Sequence, residues 1–415
     1  MQDYSPALQS LWSKKARDGS LSWLPLTLHA LDCAQVAHRL WHHWLPRNVQ
    51  MLVAQGLDLP ENSSLLGTDP LEIAEQTFVF LTAVHDLGKA TPAFQTKRAS
   101  FHASSLLDEA LLDDLSHVNL YLPRDRANPF PQAAQSPHAL ATEHLLRQNG
   151  CPRALAAIPG AHHGKPADGR MLTRQRIDDY PENYYVNADS KAAWQGVQNA
   201  LLQDALRLAG IDQPESLPVP NMAAQILLSG LLIVADWISS NDRHYPLFEH
   251  DAPWQHLLNE TELERRADTG WRSLNLPPYW QAQLPFGETE DLYAKRFALE
   301  PGKTFRPTLM QQRVADIARG MVQPGILVIE APMGKGKTEA ALAAVEILAA
   351  RTGSSGLFFA LPTQATSDGI FPRIKTWAEA LERGGANTIR LAHSKAQFNT
   401  DYRALMEGSR NIDPD

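Results

Sequence analysis

Two adjacent pairs, His85-Asp86 and His162-His163, are the residues of this chain best suited to chemistry, and a glycine closely follows each. Neighbouring side chains on a helix diverge by about 100°, so the imidazole of His85 and the carboxylate of Asp86 cannot stack. They can converge on a metal pair, the imidazole ligating one ion while the carboxylate bridges to a second. Further candidates are His29, His138 and Asp236, each on a separate helix or helix end. Together these five histidines and two aspartates exceed what one ion needs and match two. Imidazole with carboxylate suits first-row divalent metals rather than calcium or a thiolate site. Two such ions can activate a water and stabilise both the attacking and the leaving oxygen of a phosphoester. The competing reading makes several of these core or capping histidines. Against it stand the two dipeptides and an acid, Asp236, set in an apolar helix.

A second stretch, Ala331-Pro332-Met333-Gly334-Lys335-Gly336-Lys337-Thr338, follows an expected strand and opens an expected helix. In such a P-loop the backbone N–H groups around Gly334 and Gly336 cradle phosphates, Lys337 neutralises them and Thr338 holds magnesium. Ala331 stands where the strict pattern has its first glycine, and Lys335 is expected in solvent.

The elements that must position these residues follow from the apolar pattern. Residues 26–45 read as a long helix, with Leu31, Ala34, Leu40 and Trp41 apolar. On it His38 lies opposite His29, and His43 sits about 21 Å along the axis. His38, His42 and His43 are therefore read as surface or packing residues. Asp32 is placed to orient His29, and Cys33 is read as a small core residue. Leu71, Ile73, Ala74 and the run 78–81 make a buried helix that closes on His85, with Gly88 expected to stop it in a left-handed turn. Ser136-Pro137 starts another helix with His138 in its first turn. Pro159-Gly160 is expected to interrupt any helix before His162. The stretch 222–238 is nearly devoid of charge, and a helix apolar all round belongs in a core. A lone carboxylate there is costly unless paired or metal-bound, which singles out Asp236. Residues 251–304, with Pro277-Pro278, Pro285 and Pro301-Gly302, read as an irregular linker. Beyond it, strands at 325–330, 356–361 and 388–391 alternate with helices, the pattern of a parallel sheet.

The 415 residues are enough for two or three domains. The net charge is −8, with +3 from Gly302 onward and −11 before it. An acidic segment holding most of the histidines fits a metal site better than a phosphate-coating surface. The two cysteines, Cys33 and Cys151, cannot build a disulfide framework. The N-terminus lacks a signal peptide's pattern, and the apolar run 226–235 is too short to span a bilayer. A soluble, cytoplasmic protein without a membrane partner is expected.

The order His29, His85-Asp86, His138, His162-His163, Asp236 resembles the HD phosphohydrolase superfamily. More narrowly, His85-Asp86-Leu87-Gly88-Lys89-Ala90-Thr91 with Phe94-Gln95, Ala161-His162-His163-Gly164, and Ala235-Asp236-Trp237-Ile238-Ser239-Ser240-Asn241 are similar to the HD nuclease domain of the CRISPR-associated helicase-nucleases of type I systems. That resemblance implies an all-α domain over 1–250 with two divalent transition-metal ions: iron, manganese, nickel or cobalt, with magnesium a further candidate. It implies that His29, His85, Asp86 and Asp236 hold one ion, that Asp86 bridges to a second held by His138, His162 and His163, and that Lys89 lies near the phosphate. The P-loop resembles the form used by superfamily-two helicases. Arg306-Pro307 with Gln311 resembles their adenine-reading motif, and 361–367 the motif that grips a single strand; Met333 departs from the pattern. The implied remainder is a linker over 251–304 and, over 305–415, the first part of an α/β RecA-like domain binding ATP with magnesium. No Asp-Glu-containing ATPase motif follows, so unwinding by this chain is not expected. The implied partners are single-stranded DNA and an RNA-guided type I surveillance complex. The rival readings are a nucleotide phosphohydrolase on the same scaffold and a non-catalytic ATP-binding module with a structural metal.

Overall fold

The computed structural model describes residues 4–98, 105–123, 129–276, 279–283, 287–297, 306–323, 325–381 and 388–410. The chain divides into two compact units, one of Met1–Leu45 with Val49–Asn275, the other of Pro46–Asn48 with Leu276–Asp415.

Five helices of the first unit carry the candidate site: α1 (Leu26–Arg39), α2 (Pro70–Val84), α3 (His138–Gln148), α4 (Arg153–Gly160) and α5 (Met222–Ser239). The central one is α2, which packs against α1, α4, α5 and the long helix Ala188–Leu208. It starts where the Asp69 carboxylate accepts the Leu71 N–H and Pro70 presets the first turn. From Thr77 to Val84 every residue is buried, so this helix meets protein on all sides. At its other end α1 widens into a π turn over Leu40–Trp44, closed by the Leu45 N–H on the Leu40 carbonyl at 2.8 Å.

The unit is not purely helical. Trp12–Lys15 and Ser22–Pro25 form an antiparallel hairpin that Phe248–Glu249 joins, and Leu57–Asp58 pairs with Val219–Pro220. Nor is α5 wholly interior. Ala224, Leu228, Leu231, Leu232, Ala235 and Ser239 are its buried positions, and it packs on α1, α2 and α4, but Met222, Ile226 and Trp237 face solvent. Uniform apolarity hides which stripe meets the core. By length and composition alone α5 could cross a membrane; here one stripe of it packs on α1, α2 and α4 and Asp236 joins the histidines.

The proline-rich stretch read as a linker is in part helical, with Glu260–Ser273 and Thr289–Phe297; Pro277-Pro278, Pro285 and Pro301-Gly302 lie outside the described residues. The first of these helices brings Arg266 onto Asp32, with bonds of 3.0 to 3.1 Å to both carboxylate oxygens. Asp32 is thus an ion-pair residue rather than the partner of His29.

The second unit packs Val314, Ala315 and Ala318 of Leu309–Gly320 against Ala340, Ala343, Ala344 and Ile347 of Lys337–Thr352. The expected strands at 325–330, 356–361 and 388–391 carry no ladder, and no parallel sheet occurs among the described residues. Leu327, Ile329, Leu357 and Phe359 pack on the helices while Ile326, Val328 and Phe358 are exposed. Parallel strands are normally buried on both faces, and here one face of each segment is bare.

Replacing Arg266 by leucine would strand the fully buried Asp32 carboxylate. Loss of one partner of a buried pair costs about 3–5 kcal/mol, read as a lower urea midpoint; a shift below about 1 kcal/mol would contradict this account.

Candidate metal centre

Five helix ends and faces converge. His29 comes from the first turn of α1, and His85 is the residue at which α2 ends. Asp86 starts the 3₁₀ turn Leu87–Lys89, His138 opens α3, His162-His163 follow α4, and Asp236 lies near the end of α5. The helix stops before Gly88, whose backbone is not left-handed. Gly88 serves close approach instead: a Cβ there would lie 2.0 Å from the His138 carbonyl oxygen and 2.7 Å from the Thr142 nitrogen. Across this contact the Thr142 hydroxyl accepts the Gly88 N–H at 2.8 Å and donates to the His85 carbonyl at 3.0 Å. Helix α4 runs through Pro159 to Gly160 rather than breaking there. Pro159 lacks only the N–H that would reach the Leu155 carbonyl, a single bond lost in the last turn.

The two oxygens of Asp86 face different histidines. Oδ2 lies 3.2 Å from Nε2 of His29 and 3.4 Å from Nε2 of His85. Asp236 Oδ1 closes that side, at 3.6 and 3.4 Å from the same two nitrogens. Oδ1 of Asp86 lies 3.6 Å from Nε2 of His138 and 3.7 Å from Nε2 of His162. His163 meets His138 Nε2 to Nε2 at 2.9 Å. The seven residues are thereby brought into one cluster, most of it buried.

Apart from His29–Asp86 at 3.2 Å and His138–His163 at 2.9 Å, these separations exceed ordinary hydrogen bonds and suit donors that share an ion about 2.1 Å from each. His85 Nε2 and Asp86 Oδ1 are buried without a hydrogen-bond partner. The outer nitrogens are engaged: His85 Nδ1–H donates to the Thr82 carbonyl at 2.8 Å and His162 Nδ1–H to the Pro159 carbonyl at 2.6 Å. Those bonds leave the Nε2 lone pairs facing inward, as metal-ligating histidines require. The donor set fits a pair of divalent ions.

Electrostatics divides the cluster in two. Burial opposes a proton on His85, but Asp86, Cys33 and Asp236 together outweigh it and the pKa rises to about 9. Burial likewise opposes charge on Asp86, and Lys89 and His85 reverse this, holding its carboxyl well below the usual range. On the other side burial pushes His138 down to about 2 and His162 down to about 4. Without ions, two clustered carboxylates draw protons onto the imidazoles of one half.

Lys89 reaches Asp86 Oδ2 at 2.5 Å and the Ser13 hydroxyl at 3.1 Å. Ser13 itself was invisible as a site residue, because the hairpin that brings it within 3.5 Å of Asp86 carries no motif. Its neighbour Lys14 donates to the Ser240 carbonyl at 2.6 Å, and the Ser240 hydroxyl donates to Asp236 at 2.9 Å. Cys33 is buried but lies 3.7 Å from His29 Nε2 and 2.9 Å from the Ser239 hydroxyl. It therefore lines the site.

In the second unit Gly334 and Gly336 both have positive φ, and Gly336 caps the helix begun by Lys337 and Thr338. Lys337 Nζ folds back on the Ala331 and Pro332 carbonyls at 2.5 and 3.1 Å. Gln311 donates to the Gly336 carbonyl at 3.2 Å, and Arg306 and Lys335 are exposed.

Three measurements follow. Ser240→Ala removes a donor to Asp236 and should weaken metal uptake by roughly 10–100-fold, read by titration with manganese; unchanged uptake would exclude that support. Gly88→Ala should cost at least about 1–3 kcal/mol through overpacking against backbone, measured by thermal unfolding. The raised pKa of His85 stabilises the metal-free fold below about 6.5 and ceases to do so as pH rises through about 9. His138 and His162 stay neutral across that window. The melting midpoint of chelated protein should therefore fall from pH 6.5 to 9, and a flat profile would contradict the assignment.

Residues 12–245, which include all seven clustered side chains, match the family model for the Cas3 HD domain. The CRISPR-associated nuclease/helicase Cas3 of Streptococcus thermophilus is 37% identical over 410 residues, covering 96% of this chain and 41% of the relative. The CRISPR-associated endonuclease/helicase Cas3 of Thermus thermophilus is 30% identical over 415 residues, covering 97% and 39%. The chain thus spans about two fifths of the length of these relatives. Among solved structures, a CRISPR-associated protein superposes with a TM-score of 0.67 at 27% identity, over 92% of this chain and 39% of that one. T. fusca Cas3 with AMPPNP shares the fold, with a TM-score of 0.67 at 24% identity over 96% and 40%. With more than half of its length matched by the family model, this chain belongs to the Cas3 HD-domain family.

Proposed function

We propose that this chain is a metal-dependent nuclease that cuts single-stranded DNA in type I CRISPR interference, joined to the first part of an ATP-driven helicase motor. The observation that carries the reading is the two-sided Asp86 carboxylate, with imidazole nitrogens 3.2 to 3.7 Å from its two oxygens. Two divalent ions held there would supply the positive charge and acidified water that phosphodiester hydrolysis needs. His29, His85 and Asp236 would hold one ion, His138, His162 and His163 the other, and Asp86 both. Thr82 and Pro159 hold the outer ring nitrogens and so aim the inner ones, and an ion would take the place of the proton on His85. Lys89, beside Asp86, and Lys14, beside Ser240, would offer cations to the phosphate and to the strand near it.

The P-loop supports nucleotide binding: residues 337–352 present free helix N–H groups beneath a loop of two left-handed glycines. Lys337 would exchange the loop carbonyls for phosphate oxygens, Thr338 would hold magnesium, and Arg306 and Gln311 would read the adenine. The RecA-like fold of this unit, the domain limits 1–250, 251–304 and 305–415, the surveillance-complex partner and iron, manganese, nickel or cobalt as the working ion belong to the same proposal.

Asp86→Ala should lower cleavage of a single-stranded oligonucleotide by roughly 10³-fold or more while circular dichroism is retained. Chelation should abolish cutting, and manganese, nickel or cobalt should restore it. Undiminished cleavage by the variant sinks the assignment, and faster turnover of nucleoside triphosphates than of DNA would favour a nucleotide phosphohydrolase.

A further inference from the structure

Sequence spacing sets His38, His42 and His43 aside as surface residues, yet the fold gives two of them a shared partner. His38 Nδ1 and His42 Nε2 each lie 2.7 Å from the same oxygen, Oε1 of Glu75. Their rings stand 4.4 Å apart, and the donor atoms of all three residues lie within 4.8 Å of one another. The histidine side chains are 56% and 46% exposed and Glu75 is 19% exposed, so the group opens to solvent on one side. His43 turns away toward Trp271, their rings 6.3 Å apart.

Helical spacing makes this possible, and the π turn tightens it. In an α-helix positions four apart differ by about 40°. The wider turn beginning at Leu40 lowers the angle per residue and brings position 42 round beneath position 38. Glu75 comes from the first half of α2, and the imidazoles outweigh burial to hold its carboxyl below the usual range, hence ionised.

We propose that His38, His42 and Glu75 form a separate site for one divalent ion of the zinc class. Two imidazoles and a carboxylate with an open position are a common donor set for zinc. Tetrahedral zinc places such donors roughly 3.3 Å apart, so the carboxylate need only step back by roughly 0.6 Å from its present contacts. The site lies roughly 13 Å along α1 from His29 and roughly 15 Å along α2 from His85. An ion there staples the far ends of the two helices that deliver His29, His85 and Asp86. Its role is structural support from behind the centre.

Equilibrium dialysis against zinc at pH 7.5, followed by elemental analysis, tests it on the whole chain. Wild type should retain one more zinc per chain than His42→Ala and than Glu75→Gln, the latter keeping a hydrogen-bond acceptor. His38→Ala serves if either misfolds by circular dichroism. Cobalt should give a visible four-coordinate band in the wild-type minus variant difference spectrum, and zinc should raise the melting midpoint of wild type more than that of either variant. Equal zinc uptake by wild type and either folded variant overturns the proposal.

Discussion

A carboxylate taken out of water must be met by positive charge or by several donors. Asp86 is buried to 3% exposure and, among the described residues, has one ordinary cation, Lys89, on one of its oxygens. Its other oxygen has no hydrogen-bond partner. Nearly every other feature of the first unit follows from this requirement. Imidazoles surround the carboxylate because they ligate as neutral groups and can also carry a proton, so the fold tolerates the buried acid with or without an ion. Asp236 adds a second negative charge to one half only, and that half is the one whose histidines are pushed toward protonation. The other half, with no second acid, keeps neutral rings.

Holding such a cluster needs rigidity that a loop cannot supply, and the fold provides it with helix ends. Backbone carbonyls freed at the ends of α2 and α4, those of Thr82 and Pro159, take the outer ring nitrogens of His85 and His162. The unsatisfied polar groups that every helix terminus leaves here become the supports of ligands. Gly88 lets α3 close on the His-Asp turn, and Thr142 ties the two backbones together at that contact.

Five of the seven clustered residues were legible because their types are improbable where they stand: the acid Asp236 in α5, and the pairs His85-Asp86 and His162-His163 at the ends of apolar runs. Their supports were not. Ser13 reaches the site through a hairpin whose pairing with Phe248–Glu249 joins segments more than two hundred positions apart, and no local pattern predicts such a partner. Asp32 is one turn from His29 but answers Arg266, because a bidentate guanidinium satisfies a fully buried carboxylate better than one neutral ring. The exposed side of α5 was hidden for the opposite reason, its hydrophobicity having no preferred direction. His38 and His42 lie on the surface as expected, and their spacing of four puts both on one helical face; their partner Glu75 comes from α2, and no local pattern reveals it.

The two chemical centres differ in how they are specified. The P-loop is local, eight consecutive residues whose glycines at 334 and 336 take left-handed backbone, and a Cβ on Gly336 would lie 2.4 Å from the Gln311 side-chain nitrogen. Such a motif survives in sequence as an unbroken string, and it is readable even where the strands around it are not formed. The metal centre has no string. It exists only when α1 to α5 are packed, so its integrity is a measure of the first unit's whole core rather than of any segment. A substitution far from the ligands that loosens α1 against α2 acts on both His29 and the His85-Asp86 turn at once. This is why a clasp at the opposite ends of those two helices bears on the geometry of the centre itself.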